Sequence, residues 1–288
     1  MRGPPCATVQ RTSSPHWTAS HVTSVRKQHQ ARKRFGQNFL RDEAVIDRIA
    51  GAISPRADEH LVEIGPGLGA LTEALLASGC RVDAIELDRD LATPLLAAFS
   101  IHSNFTLHSA DALRFDFASL TSAERSLRIT GNLPYNISTP LIFRLLEFAP
   151  LILDMHFMLQ LEVVERLCAS PGNKHWGRLA IMSQFRCTNT LLFEVPPEAF
   201  EPAPKVQSAI VRMEPHRTPP WPDCSETALA QVVKASFAQR RKTLRNNLKG
   251  ILSTATLEAL AIDPGARAET LTMEQFVAMA RYLEATPE

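Results

Sequence analysis

Four consecutive residues, Asn132-Leu133-Pro134-Tyr135, carry groups that can prepare an aromatic amine for reaction. They follow an apolar, strand-like stretch, Leu127 to Thr130. The amine nitrogen of a flat base is a weak nucleophile because its lone pair is drawn into the ring. The Asn132 side-chain oxygen and a backbone carbonyl held rigid by proline can accept its N–H bonds, while Tyr135 stacks on the base. The pattern indicates methylation of an amine, although an ordinary strand ending in a turn gives the same tetrapeptide.

A glycine-rich loop, Gly65 to Gly69, closes one strand-like run and opens a helix-like one. Glycine allows the positive φ and the close backbone approach that a nucleotide-like ligand needs. A dehydrogenase would seat a pyrophosphate in the same geometry, and a tight strand-to-helix turn needs no ligand. Two carboxylates favour S-adenosylmethionine. Glu63 precedes the loop and offers a carboxylate near the ammonium end of the ligand, and Asp111 offers one to the amine of its adenine. Asp111 as a plain helix cap is the alternative.

The composition excludes several classes of protein. The chain has 288 residues, of which 45% are apolar and 21% charged, as in a globular protein with a sizeable core. No apolar run reaches the roughly 18 to 20 residues of a membrane helix. The five cysteines and nine histidines show no metal-ligand spacing, which predicts reduced thiols, no metal and a cytoplasmic location.

The charge is distributed unevenly along the chain. Residues 1–34 hold seven Lys or Arg and no Asp or Glu, leaving 24 of the 31 basic residues against all 30 acidic ones. A local basic excess is typical of nucleic-acid binding. Residues 1–27 lack apolar periodicity, so we expect a disordered basic arm or a start codon assigned too far upstream, with a targeting peptide as the alternative.

Short β-type runs alternate with helical ones between residues 60 and 215, which predicts an α/β fold with a mostly parallel, doubly wound sheet of seven strands. The last two strands follow one another without a helix and are expected to form an antiparallel hairpin. The predicted strands are His60–Ile64, Arg81–Glu86, Phe105–His108, Leu127–Thr130, Asp154–Gln160, Thr190–Val195 and Gln207–Met213. The predicted helices are Leu71–Ala77, Leu91–Phe99, Leu141–Phe148, Val163–Cys168 and Leu179–Phe185.

Beyond residue 215 the strand signal ends, and three or four short helices are expected to form a small all-α domain, residues 216–288. A capping box at Thr272 and Gln275 predicts the start of its last helix. Arg241, Arg245 and Lys249 recur every four residues on a predicted helix, with Phe237, Leu244 and Leu248 facing inward. Residues 28–215 would then form the cofactor domain.

Several blocks of sequence follow one another in the order found in one family. This chain resembles the bacterial 16S ribosomal RNA adenine dimethyltransferases from about residue 30 to its end. The blocks are Arg32–Leu40, the glycine loop, Ile85–Asp88, Asn132–Ser138, Phe200–Val206 and Gln239–Asn246.

The resemblance implies a Rossmann-like methyltransferase that uses S-adenosylmethionine to dimethylate N6 of two adjacent adenines in the hairpin loop near the 3′ end of 16S rRNA. It also implies an action late in small-subunit assembly, by a monomer without membrane contact. The implied cofactor residues are Asn38, Leu40, Gly65, Glu86, Asp111 and Asn132. The implied residues at the target base are Asn132, Pro134, Tyr135 and Phe200, although Phe200 could equally be a core residue. The implied RNA-binding residues are Arg32, Lys33, Arg34, Arg240, Arg241, Lys242 and Arg245.

Three positions depart from the family pattern: Leu161, Arg186 and Ala203. The first two are expected to affect RNA contacts rather than chemistry. Three other functions stay open at this point. They are a methyltransferase of large-subunit RNA, an assembly chaperone whose methylation is incidental, and a nicotinamide-dependent dehydrogenase.

Overall fold

The computed structural model describes residues 37–134 and 136–285. The amino-terminal arm, its basic residues Arg32, Lys33 and Arg34, and Tyr135 lie outside the described residues. None of the helices in the described ranges is long and apolar enough to span a bilayer.

A mostly parallel sheet of seven strands forms the centre of the fold, which confirms the predicted class. Its strands are β2 (His60–Ile64), β3 (Arg81–Glu86), β4 (Phe105–Ser109), β5 (Leu127–Asn132), β6 (Ile152–Gln160), β7 (Cys187–Val195) and β9 (Ser208–Pro215). The spatial order is β4-β3-β2-β5-β6-β9-β7. The first five strands in that order run parallel, and β9 pairs antiparallel with both β6 and β7. All seven predicted strands and the antiparallel ending are confirmed.

Two features of the amino-terminal part are absent from the sequence-based prediction. A two-residue strand, β1 (Phe39–Leu40), pairs antiparallel with β8 (Phe200–Glu201). A helix, α1 (Glu43–Ile53), follows it and is capped by Asp42, whose carboxylate accepts the Val45 N–H at 3.1 Å.

The five predicted helices are present, each shifted by one to three residues. They are α2 (Ala70–Leu76), α3 (Arg89–Phe99), α4 (Ser138–Leu146), α5 (Leu161–Leu167) and α6 (Arg178–Gln184). Alternate residues of each strand point to opposite faces of the sheet, so β6 sends Phe157 and Leu159 into one apolar cluster and Met158 into another. The helices cover both clusters, and every strand of the sheet except β9 has its carboxyl end at the same edge.

The carboxyl-terminal part is helical, as predicted. Its helices are α7 (Glu226–Ser236), α8 (Leu244–Asn247), α9 (Thr254–Ala259) and α10 (Met273–Ala285). Their apolar cluster also includes Trp176, Ile181 and Phe185, which precede residue 216. The capping box is confirmed, because the Thr272 hydroxyl accepts the Gln275 N–H at 3.4 Å and the Gln275 side chain accepts the Thr272 N–H at 3.0 Å.

The prediction of a single helix that carries Arg241, Arg245 and Lys249 is wrong. The chain leaves α7 at Ser236, turns through residues 237–243 and re-enters a helix only at Leu244. The Asn247 side chain stabilises this turn, since its amide donates to the Ser236 carbonyl at 2.7 Å and to the Gln239 carbonyl at 3.1 Å. Leu244 and Leu248 are nevertheless fully buried, as expected.

Candidate functional site

A cavity opens at the carboxyl ends of β2, β3 and β5, where open α/β sheets bind their ligands. Seven of the predicted site residues line it, although they come from five separate segments of the chain. They are Asn38, Leu40, Gly65, Glu86, Asp111, Asn132 and Pro134.

The glycine loop forms one wall of the cavity. Gly65 and Gly67 have φ of +68° and +60°, values that favour glycine over residues with a side chain. A Cβ on Gly67 would lie 3.2 Å from the Phe39 ring. The loop is therefore pressed against β1, and a side chain at Gly67 would push the two apart.

The β1–β8 ladder closes the cavity from the amino-terminal side. Phe39 lies opposite Glu201 and Leu40 opposite Phe200, and the Arg41 N–H donates to the Ala199 carbonyl at 2.8 Å. This ladder holds Asn38 and Leu40 in the cavity wall. Sequence reasoning missed it because two-residue strands separated by about 160 positions leave no local pattern.

The Asn132 side chain has a fixed orientation. Its amide nitrogen donates to the Asn38 backbone carbonyl at 3.0 Å. A carbonyl can only accept, so the amide end facing Asn38 must be the NH₂ group. The side-chain oxygen of Asn132 consequently points away from Asn38 and can accept a hydrogen bond.

Gly131 fixes the position of Asn132 along the strand. A Cβ at Gly131 would lie 2.4 Å from the Ile64 carbonyl oxygen of the neighbouring strand. Only glycine allows β5 and β2 to approach so closely here.

Two backbone carbonyls follow Asn132. The Pro134 carbonyl accepts the Ile137 N–H at 3.1 Å, whereas the Leu133 N–H donates to Met158 at 3.2 Å. Within residues 37–134 and 136–285, no donor reaches the Leu133 carbonyl. Of the two carbonyls considered as acceptors, that of Leu133 is the more available.

Buried carboxyl groups give the cavity its electrostatic character. Burial raises the pKa of Glu63 to about 7, although the Thr72 hydroxyl donates to it at 2.6 Å. Burial also raises the pKa of Glu86, which accepts N–H groups from Asp88 at 2.8 Å and Gly67 at 3.3 Å. Both groups would be stabilised in their charged form by a cationic ligand.

The charge balance of the wall distinguishes two kinds of cofactor. Four acidic residues line the cavity (Glu63, Glu86, Asp88 and Asp111), and among its described lining residues there is no Lys or Arg. An anionic dinucleotide would meet only like charge there. A ligand that carries a sulfonium and an ammonium group fits this wall, so the residues present suit S-adenosylmethionine.

His156 is a cavity residue that sequence reasoning missed. It lies beside Thr130 in register, and Thr130 lies beside Glu63, so the three share one row of the sheet. Burial lowers the pKa of His156 to about 4, and its Nε2 is buried with no hydrogen-bond partner in the described structure. The detectable signal was a second polar residue, after Asp154, inside the otherwise apolar part of β6 that precedes Gln160.

The other predicted residues lie away from this wall. Phe200 is buried, 5% exposed, in the apolar cluster beneath β1 and is not among the cavity residues. Four of the residues predicted to bind RNA lie in the described ranges, and all four are exposed: Arg240, Arg241, Lys242 and Arg245. Arg240 contacts the Glu269 carboxylate at 3.5 Å and the Lys174 carbonyl at 2.6 Å, whereas Arg186 pairs with Glu226 of α7.

A family model described as ribosomal RNA adenine dimethylase matches residues 28–285. The chain belongs to this family. The dimethylase is an enzyme that uses S-adenosylmethionine, and the acidic cavity is consistent with that cofactor.

Relatives resemble the dimethylase over most of their length. It is 58% identical to the ribosomal RNA small subunit methyltransferase A of Pseudomonas aeruginosa, over 90% of this chain and 97% of that protein. It is 56% identical to the protein of the same name from Saccharophagus degradans, over 88% and 95%.

Two solved structures share the fold of the dimethylase. A dimethyladenosine transferase from Plasmodium falciparum superimposes with a TM-score of 0.72 at 25% identity, covering 84% of this chain and 95% of that one. The 23S rRNA methyltransferase ErmE superimposes with a TM-score of 0.68 at 27% identity, covering 86% and 100%.

Proposed function

We propose that this dimethylase converts two adjacent adenines in the 3′-terminal hairpin loop of 16S rRNA to N6,N6-dimethyladenine, late in assembly of the small ribosomal subunit. The difference in identity between its relatives supports a small-subunit substrate. The relatives named for the small subunit are 56% and 58% identical, whereas the enzyme named for 23S rRNA is 27% identical.

The orientation of Asn132 is the observation that carries the proposed chemistry. Its side-chain oxygen and the Leu133 carbonyl accept the two N–H bonds of the target amine and draw its lone pair out of the ring plane. When bound, S-adenosylmethionine supplies a methyl group activated on a sulfonium. The residues then act by orienting the target amine and by directing fixed dipoles at it, so no general base is required.

The cofactor contacts follow from the cavity wall. Asn38 and Leu40 close the pocket from β1, and Gly65 lets the backbone approach the methionine part. Glu86 holds the ribose hydroxyls. One carboxylate oxygen of Asp111 already accepts the Leu113 N–H at 3.0 Å, so its other oxygen is the one proposed to bind the cofactor's adenine amine.

The target base is proposed to leave its stack and lie between Tyr135 and Phe200. An adenine in a hairpin loop costs less to unstack than one in a duplex. The position of Phe200 supports this role, because it pairs in register with Leu40 of the cavity wall. Since Phe200 is buried, β8 has to expose its ring when the base enters.

The basic residues are proposed to bind the phosphate backbone of the rRNA. Arg32, Lys33 and Arg34 would contact it from the amino-terminal arm. Four residues of the helical part would also contact it, and the exposure of all four side chains supports this role: Arg240, Arg241, Lys242 and Arg245. Residues 28–215 and 216–288 are the proposed cofactor and RNA-binding domains of a cytoplasmic monomer.

Asn132→Ala tests the proposed chemistry. We expect a loss of methyl transfer to small ribosomal subunits of about 100- to 1000-fold, or roughly 3 to 4 kcal/mol, because two oriented acceptors become one. Labelled cofactor measures the rate, and filter binding is expected to show nearly unchanged retention of subunits. Asn136→Ala, which removes another asparagine of the cavity wall, is the matched control and is expected to lose less than about tenfold. An Asn132→Ala enzyme with wild-type turnover would show that the acceptor role is wrong.

The substrate is tested separately with both ribosomal subunits. Wild-type enzyme is expected to label 16S rRNA in small subunits from cells that lack the enzyme, and mass spectrometry is expected to place four methyl groups on two adenines. Label found only in 23S rRNA would contradict the substrate assignment.

Arg241→Gln together with Arg245→Gln tests the helical RNA surface. Each lost phosphate contact reduces the slope of log affinity against log salt by roughly 0.7 to 0.9. The double variant removes two such contacts, so we expect the slope, measured by filter binding at a series of salt concentrations, to fall by roughly 1.4 to 1.8. An unchanged slope would remove these two residues from the interface.

A further inference from the structure

A second hollow lies at the opposite edge of the sheet from the methyl-transfer cavity. It is bordered by the first residues of β5 and β6 and by the last residues of β9. Five arginines line it, and we name it the arginine hollow: Arg56, Arg125, Arg128, Arg212 and Arg217. The function proposed above uses none of these five residues.

The hollow carries more positive than negative charge. Its lining residues include three carboxylates against the five arginines: Glu59, Asp154 and Glu214. His216 also lines it, but its Nε2 lies 3.0 Å from the Gln184 carbonyl and is occupied there. The wall therefore has a surplus of two positive charges.

Arg128 uses the carboxylates deepest in the hollow. Its guanidinium forms a bidentate pair with Asp154 through two bonds of 2.9 Å, and it contacts Glu59 at 2.7 Å. Near the rim, Arg212 contacts Glu214 at 2.9 Å and Arg56 contacts Glu59 at 3.1 Å. These pairs leave no carboxylate for the remaining two arginines.

Arg125 and Arg217 have no acidic partner within the ranges that the structure describes. The Arg125 guanidinium donates only to the carbonyls of Leu153, at 3.3 Å, and Pro215, at 3.2 Å. Its Nε is buried without a partner, as is the Nε of Arg212. A buried donor without an acceptor lowers stability, and the Arg125 side chain is held beside the hollow despite this cost.

The backbone places Arg125 in this position against its own preference. Arg125 has a φ of +49°, which costs a residue with a side chain about 1 kcal/mol. Side chains held in such conformations are concentrated at binding sites.

We propose that the arginine hollow binds a phosphate group, and that this group belongs to the RNA backbone of the ribosomal substrate. This inference rests on the proposed function for the source of the phosphate. A guanidinium fork matches phosphate oxygens in a bidentate geometry, and the exposed Arg217 and the 40% exposed side chain of Arg212 line the hollow. The six residues of β5 separate the hollow from the cavity by roughly 20 Å. A folded RNA that reaches the cavity can therefore contact both edges of the sheet.

Two substitutions separate phosphate binding from structural support. Arg125→Gly removes the charge and suits the positive φ, so the backbone gains rather than loses stability. Arg217→Gln removes an exposed charge that makes no side-chain contact in the described structure. Because one phosphate loses its cationic partners, we expect the double variant to bind purified small ribosomal subunits at least about tenfold more weakly at low salt, with a salt slope reduced by roughly 0.7 to 0.9. Binding of S-adenosylmethionine is expected to be unchanged.

Arg281→Gln, an exposed arginine of α10, controls for the loss of one charge and is expected to behave like the wild type. Calorimetry with inorganic phosphate alone distinguishes the sources of the ligand. If phosphate binds the wild type but the variants bind subunits normally, the hollow takes a free anion and the RNA assignment is overturned. If neither probe distinguishes the variants, the site itself is overturned. A wild-type enzyme that fails to methylate small subunits would instead refute the proposed function.

Discussion

The two edges of the central sheet treat buried charge in opposite ways. At the carboxyl edge, Glu63 and Glu86 are buried with no cationic partner among the described residues, and burial raises the pKa of both. At the amino edge, Arg128 and Asp154 are equally buried but form a bidentate pair. A buried charge that is paired within the fold is already neutralised, whereas a buried charge without a partner is available to bind a ligand of opposite charge. The same sheet thus has one edge whose buried carboxyl groups suit a cationic cofactor, and another where the most buried charges are paired and where Arg125 and Arg217 remain for the proposed phosphate.

Arg128→Leu is expected to produce the largest loss of stability at the amino edge. It leaves the carboxylates of Asp154 and Glu59 buried with their main cation removed, which costs about 3 to 5 kcal/mol. Urea unfolding monitored by circular dichroism measures the change. Arg56→Gln removes an arginine that is 70% exposed and is expected to cost under about 1 kcal/mol. Equal costs for the two variants would show that burial does not distinguish these pairs.

Glu63→Gln is expected to change how stability depends on pH. The folded pKa of Glu63, about 7, lies above its ordinary value of 4.5. Its contribution is therefore fully present below pH 4.5 and is lost as pH rises through about 7, by an amount on the order of 3 kcal/mol. Glutamine keeps the acceptor for the Thr72 hydroxyl and has no charge to lose, so the variant should be more stable than the wild type at pH 8.

The measurement is a series of unfolding curves between pH 5 and 8 in the absence of cofactor. The difference between variant and wild type should grow with pH across that range. A difference that stays constant would mean that Glu63 is ionised throughout and that the carboxyl edge already supplies a partner for it.

Gly131→Ala is expected to cost about 1 to 3 kcal/mol of stability, because β5 must move away from the Ile64 carbonyl. That movement also displaces Asn132, so methyl transfer should fall while small-subunit binding persists. Gly51→Ala is the matched control, since a Cβ at Gly51 meets no atom within 4 Å. It lies in α1, where alanine is expected to add up to about 1 kcal/mol of stability. Equal activity in both variants would contradict the positioning role of Gly131.

Much of the carboxyl edge could be predicted from the sequence because its parts are local. The glycine loop, Glu86 and Asn132 each follow directly after an apolar strand, and parallel strands bring those ends together. The turn at residues 237–243 could not be predicted by periodicity, because the Asn247 side chain bonds back to Ser236 and Gln239. The arginine hollow was also missed, since its residues come from five distant segments and share no motif.

The pairing of β1 with β8 has a consequence for turnover. Each S-adenosylmethionine carries one transferable methyl, so dimethylating a single adenine consumes two molecules and requires a fresh one between the two steps. In the described structure the β1–β8 ladder is two residue pairs long, and Arg41 adds a bond to the Ala199 carbonyl and an ion pair with Glu201. So short a ladder can open locally while the seven-stranded sheet stays intact. Spent cofactor can then exchange with the RNA still bound, which would allow successive transfers during one encounter.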